Sequence, residues 1–600
     1  MKRWRAKLLL ASGAAFLALA IPAAGQQGQE EEPESILPPG FGEPAPPPPA
    51  PPEGSAPGTP PAEDPGSPPA VPEPGVVASP APGVPTIQNS AEEDLEALAQ
   101  QQLPPPIEIP EESRRPTNVV GPLRAGNWGL GYDAFGNANG AFLAALMRRL
   151  DAPLPSRWES ILLRRALLSE IPAPPQVNEV DWVAERAWLL LRMGEADAAR
   201  ALVQAIDVDR FTPRMFTVAV QVALATADPA GLCPLVGPGK EVSDEPVWPL
   251  AEAMCAALEG EAARASQLID QARRRSGAGR ADVVLAEKVI GAGTDTRRAV
   301  SVNWDEVDQL NSWRFGLASA TGLLVPDRLM NRAGGQVWAW QARAPMVPLE
   351  SRVNAAFRAA ALGVFSHAAL VEMFSLIADG TDASDLPDTL AGRLRQAYAA
   401  PSLDGRLRAM SGLWGEGDRF SRLILTATAA GGLPPSDAYG ERTADIIASM
   451  FTAGLDARAG RWAPVVEAMG DDGDRAWALL AVGTPRPVVD ISGKADDVIG
   501  RIGGHRGRML AAALAGLGRL QDSAAYEVDT APRTRWAGMI ASAARNRQPG
   551  TVALLAAVGM QTGGWGGVPP AHFYQMIRAL HEVGLDFEAR MIAAEAMTRL

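Results

Sequence analysis

The sequence predicts an all-α protein, in which antiparallel helix hairpins stack into a right-handed superhelical array behind a proline-rich segment that does not fold. Three observations predict it. From about residue 140 onward, apolar residues recur at three- and four-residue spacing on a background rich in Ala, Leu, Arg and Glu, as in AFLAALMRRL, DWVAERAWLLLRM and AHFYQMIRALHEV. Runs of alternating β-branched residues, which would mark strands, are missing from the same region. A glycine-centred pattern also returns along the chain, as RMGEADAARALVQ (192–204), LEGEAARASQLI (258–269) and EVGLDFEARMIA (582–593).

The N-terminus reads as an export signal. MKRWRAK carries Lys2, Arg3, Arg5 and Lys7 and no acid, and an uncharged run follows from Leu8 to Ile21. Its 14 residues fall short of the roughly 20 that a membrane-spanning helix needs. Ala23, Ala24 and Gly25 then offer a small-residue cleavage point, so residues 1–25 read as a secretory signal peptide. No cysteine stands at the cut to take a lipid. The mature chain has no other long uncharged apolar run, so no membrane span is expected after cleavage. An exported address, a Gram-negative periplasm given the 50 arginines against 5 lysines, is the expectation.

Residues 26–120 differ in composition from everything after them. They hold 26 of the 53 prolines, with 16 acids against Arg114 and Arg115, a net 2 − 16 = −14. The signal contributes +4 and the whole chain −14, so residues 121–600 carry only −14 + 14 − 4 = −4. Proline removes backbone donors and like charges repel, so this segment is expected to stay an extended tether, with a reach on the order of 250–300 Å. One island interrupts it. NSAEEDLEALAQQQL sets Ser90 three residues before Glu93, a capping-box spacing, and puts Leu95 and Leu98 on one face, which predicts a short helix near 90–103.

The body divides into an N-terminal half, 121–345, and a C-terminal half, 346–600. Its glycines set the pairing. Seven and four residues before Gly194, Gly260 and Gly584 stand Ala187 and Leu190, Ala253 and Ala256, Ile577 and Leu580. Five and eight residues after them stand Ala199 and Leu202, Ala265 and Leu268, Ala589 and Ile592. The first offsets lie on one face of a preceding helix and the second on one face of a following helix. Glycine between them enters the left-handed conformation that ends the first helix, and alanine at the fifth position lets the two helices approach. Gly454 and Gly518 fit more loosely, because Gly460 and Pro464 disturb the second helix after one and Pro532 shortens that after the other.

This pattern resembles the tetratricopeptide repeat, in which a glycine closes the first helix and small residues punctuate the second. The intervals 194→260, 454→518 and 518→584 are 66, 64 and 66 residues, close to two 34-residue repeats. The family's aromatic and proline positions are mostly missing. The resemblance implies an α-solenoid whose concave surface holds a protein or peptide.

Cys233 and Cys255 are the only cysteines, and in an exported chain an even pair is expected to be bridged, stapling a helix to the loop before it. Catalytic signatures do not emerge. His367, His505, His572 and His581 never pair at four-residue spacing, and HEVGL lacks the second histidine of a zinc protease. No GxSxG or SxxK is present. The Gly-rich stretch Gly126–Gly140 lacks the Lys-Ser/Thr ending of a phosphate loop and is expected instead to pack Trp128, Tyr132 and Phe135 onto the first helices. A near-neutral body and an acidic tail argue against nucleic acid.

The functional expectation is therefore a non-enzymatic periplasmic scaffold or adaptor for an envelope protein or peptide, with no cofactor, metal or catalytic residue assigned. The alternative is a glycan-binding protein or an accessory of a cell-wall hydrolase, working through surface tryptophans or through carboxylates.

Overall fold

The computed structural model describes residues 110–275, 277–295, 301–521 and 524–600. The expected signal peptide, most of the 26–120 tether and the helix expected near 90–103 lie outside the described residues. Inside them the chain is all-helical, as the periodicity predicts, with many packed helices of 4 to 14 residues. The one β-ribbon among the described residues pairs Val119–Val120 with Ile171–Pro172 in antiparallel register. Among the described residues no helix is long and apolar enough to cross a membrane. Within residues 110–120, Arg115 donates its backbone N–H to Asp207 at 2.9 Å, and Val120 is buried.

The glycines stand between helices. Gly194, Gly260, Gly454, Gly518 and Gly584 have φ of 93°, 87°, 71°, 69° and 84°. After each, the next residue's N–H reaches back five positions, as from Glu195 to Leu190 O (2.9 Å) and from Leu585 to Leu580 O (2.9 Å), which satisfies carbonyls the helix end leaves free. Ala199, Ala265 and Ala589 are fully buried, and the apolar positions flanking the three principal glycines are buried except Leu268, which is half-buried. Helix Glu179–Arg192 packs against Ala196–Val203, and Val247–Leu258 against Ala262–Arg275. After Gly454 the second helix breaks into Asp456–Gly460 and Ala463–Ala468.

The same closure occurs where no glycine marks it. Ala227 has φ 52°, and Asp228 N–H reaches Ala223 O at 3.0 Å. Ala227 lies 227 − 194 = 33 residues after Gly194 and 260 − 227 = 33 before Gly260. Its flanking positions Val220, Ala223, Leu232 and Leu235 are all buried. The 66-residue interval is thus two units of 33, with alanine at the turn and leucine where the small residue is expected. Gly322 and Gly363 close helices in the same way at irregular spacing.

A helix near the start of the described chain meets the last one. Helix Arg157–Leu168 packs against Pro549–Gly559 and Asp586–Arg599, and nine of its twelve residues are buried. A helix covered on nearly every side sits at the centre of a fold rather than on its surface. One apolar core runs without a break from Val120 to Met597, across both halves of the body.

The glycines differ in what surrounds them, and that sets an expected result. A Cβ on Gly194 would stand 2.7 Å from the Ala339 methyl and 3.3 Å from Val364 Cγ2, whereas one on Gly584 would meet nothing within 4 Å. Gly584→Ala is expected to cost about 1 kcal/mol through its left-handed backbone alone, and Gly194→Ala about 2 kcal/mol, because overlap adds to strain. Denaturant midpoints check this; equal losses would rule out the close approach at Gly194.

The Gly126–Gly140 loop does not pack as expected. Phe135 is buried and meets Trp182 edge-on at 5.3 Å. Trp128 and Tyr132, however, are 74% and 59% exposed. Trp128 has φ 66°, and its carbonyl accepts from Arg165 Nε at 2.9 Å while that guanidinium lies 5.9 Å from its ring. The hydrogen bond and the left-handed turn hold the indole outward.

Candidate binding cleft

A cleft of about 850 Å³ lies where the chain leaves helix Ala196–Val203, turns through Val208–Arg210 and passes into helix Pro213–Ala225. Each wall has a local cause. Thr212 caps the 213–225 helix, accepting from Met215 N–H at 3.1 Å, and Pro213 fills its first turn, where no N–H is needed. Phe211 is held against Phe216 at 5.3 Å. Asp228 accepts from Gly231 N–H at 3.1 Å and so sets the short turn Pro229–Leu232.

The opposite wall is helix Cys233–Val242, and its composition, CPLVGPGKEV, argues against helicity. The Cys233–Cys255 disulfide joins it to helix Val247–Leu258 with Cα atoms 5.5 Å apart. The staple therefore runs from helix to helix, not from helix to loop as the sequence led us to expect; two prolines and two glycines in ten residues had masked the first helix. Gly239 lies flat on buried Trp248, where a Cβ would come within 2.4 Å of the ring.

The floor is aliphatic: Val203, Ile206, Val222 and Leu235. The rim is charged. Arg200 pairs with Asp228 at 2.5 Å, Arg114 with Asp209 at 3.2 Å and Arg115 with Asp207 at 3.8 Å. Arg210 adds a fourth cation, donating to Arg115 O at 3.3 Å. An apolar floor beside ion pairs has the chemistry to suit an amphipathic segment, with apolar side chains on the floor and polar groups at the rim. Ala199 lies on helix 196–203, which contributes to the cleft, Gly194 closes the helix before it, and Cys233 begins the far wall; Gly260 and Ala265 belong to the helix pair 247–275, while Gly454, Gly518, Gly584 and Ala589 lie in the other half of the chain.

A second polar cluster surrounds the central helix. Glu595 accepts from Ser156 Oγ (2.8 Å), Arg157 N–H (2.9 Å) and Trp158 N–H (3.0 Å), so a carboxylate from the last helix caps the N-terminus of the 157–168 helix. Glu159, one turn in, is fully buried, and neither carboxyl oxygen has a hydrogen-bond partner. Burial, then the charges of Glu588 and Glu595, push its pKa well above the ordinary carboxylate value. The cluster is sealed from solvent, so its work is structural.

Glu159 gives a pH prediction. Its folded pKa is raised, so ionisation adds no penalty below the unfolded value near 4.5, and the penalty grows as pH climbs from there toward the folded pKa. Glu159→Met is therefore expected to gain stability relative to the parent between pH 4 and pH 8. Urea midpoints at the two pH values decide it, and a gap that stays constant with pH would refute the buried neutral acid.

The four histidines do not converge: His367 opens the 367–379 helix, His505 lies on 504–516, and His572 and His581 lie nine residues apart on 570–582. Burial lowers the pKa of His367 and of His572, which stacks on Trp536 at 4.7 Å. Among the described residues no group of three or more His, Cys, Asp or Glu is placed to hold a metal ion. Comparison with protein-family models, curated proteins and solved structures gives no match.

Proposed function

We propose that this protein is a non-enzymatic scaffold that takes an amphipathic protein or peptide segment in the cleft beside Val208–Arg210. The observation that carries the reading is the cleft itself, an aliphatic floor ringed by Arg–Asp pairs. The framework we propose for it is a tetratricopeptide-like array of antiparallel hairpins, most regular over Gly194, Ala227 and Gly260, whose far end returns to its beginning. Export to a periplasm follows from the basic, apolar and small-residue order of residues 1–25, and the disulfide fits an oxidising compartment. The expected partner is an envelope protein or peptide.

The test is selection of peptides from a random library on the full mature chain. Binders should lose at least about tenfold in affinity when Val208→Asp puts a charge on the cleft wall, roughly the cost of one unpaired charge facing an apolar anchor. Binders indifferent to Val208→Asp would sink the reading.

A second reading rests on Trp128. A bulky residue in a left-handed turn with its ring held outward is a strained, presented aromatic face, suited to stacking on a sugar of the cell wall. Cosedimentation with purified sacculi that disappears in Trp128→Ala would favour it.

A further inference from the structure

We infer that the chain's own segment 90–103 is an occupant of the cleft, docking there as an amphipathic helix and competing with external partners. The inference rests on the cleft being a peptide site and adds which peptide is always present. Three observations carry it.

The first is where the described chain begins. Pro110 is the first described residue, and five residues later Arg115 lines the cleft, with its N–H on Asp207 and its guanidinium beside the same carboxylate. Everything upstream is therefore tied to the rim. From Leu103 to Arg115 is 115 − 103 = 12 residues, which span at most roughly 40 Å. The 90–103 segment cannot leave the neighbourhood, and its local concentration at the cleft is of millimolar order.

The second is pattern. Leu95, Leu98 and Ala99 share one helical face, the spacing by which short helices anchor in apolar grooves. The floor that would receive them, Val203, Ile206, Val222 and Leu235, is aliphatic and has no polar side chain that a leucine would leave unpaired.

The third is charge. The segment carries Glu92, Glu93, Asp94 and Glu96 and no base. Of the residues that line the cleft, Arg115 and Arg200 stand beside Asp207, Asp209 and Asp228, and their side chains remain 57% and 38% exposed within their pairs; Arg114, on Asp209, and Arg210, on Arg115 O, stand just outside the lining. The two exposed guanidiniums are the groups that acids flanking the leucines would meet at the edge of the aliphatic floor.

The experiment uses the full mature chain carrying p-benzoylphenylalanine in place of Ala99, irradiated at low protein concentration and mapped by mass spectrometry. The expected product is an intramolecular crosslink to 203–211 or 219–238, with a yield independent of concentration and lost in both Leu95→Asp/Leu98→Asp and Val208→Asp. The leucine variant leaves every residue of the Val120–Met597 core unchanged, so misfolding does not explain its effect. Crosslinks that form only between chains, that scatter over the body, or that persist in the leucine variant overturn the inference. Library-selected peptides separate this failure from that of the cleft itself. If the segment docks, they bind Leu95→Asp/Leu98→Asp at least about threefold more tightly than the parent, because the tethered competitor is gone. Equal affinity for the two chains, with sensitivity to Val208→Asp retained, overturns self-docking and leaves the cleft a peptide site.

Discussion

Arg157→Met is expected to lower the stability of the protein by about 4 kcal/mol, the largest effect of any single substitution considered, because it leaves polar groups buried without partners. Arg157 is 3% exposed and stands at the first turn of the central helix. Its guanidinium donates to Phe365 O at 3.0 Å, to Ala360 O and, at 3.4 Å, to Thr452 O. Two of these carbonyls belong to the last turns of helices 353–361 and 443–452; Ala360 O also accepts from Gly363 N–H at 3.0 Å, so Phe365 O and Thr452 O depend most on Arg157. One side chain thus closes two helix ends and binds both to the helix on which the chain's last helix also packs. Burial pulls its pKa down to about 10, with Glu595 opposing, so it stays cationic at neutral pH. Methionine fills much of the volume and supplies no donor. Guanidinium chloride unfolding followed by far-UV circular dichroism measures the loss, and a change under about 1 kcal/mol would show that water or rearranged side chains satisfy these carbonyls instead.

That hub was not visible in the sequence, and the reason is general. RWESILLRRALL shows an ordinary amphipathic pattern with charges at its start, which locally reads as a surface helix. The partners that make those charges internal, Glu595 and the carbonyls of Ala360 and Thr452, lie 203 to 438 residues away, and no window contains them. Helix content and the closures at Gly194, Gly260 and Gly584 were legible because both are local: periodicity sets the first, and glycine's freedom at positive φ sets the second. The closures at Ala227 and Arg547 were not, since each adopts a left-handed turn that its residue type does not announce. The 194→260 interval was legible as two repeats, but the boundary between them at Ala227 was not. The cleft was hidden by its far wall, because a stretch with two prolines and two glycines reads as a loop unless the disulfide that holds it is known. Trp128 was placed inward because large aromatics usually bury, and only the backbone shows the turn that points it out.

That far wall is where removal of the disulfide should act. Cys233→Ala/Cys255→Ala is expected to cost about 3 kcal/mol, the chain-entropy value for a closed loop of this size, since the two residues are 22 apart in sequence. The loss should fall unevenly. Helix 233–242 has poor intrinsic propensity, with Pro238 in its interior, so its order depends on being fastened to helix 247–258 and on Gly239 lying against Trp248. Once the bond is gone, amide exchange should accelerate first in 233–242, while the 157–168 helix, buried among helices from both ends of the chain, keeps its protection. Pro234, Leu235 and Pro238 line the cleft, so peptides that bind the parent should bind the double variant more weakly, and dithiothreitol added to the parent should reproduce that loss. Uniform acceleration of exchange across the body would mean that the bond stabilises the fold as a whole and has no special hold on the cleft. Unchanged peptide affinity alongside faster exchange in 233–242 would place the binding surface on the 196–225 side alone.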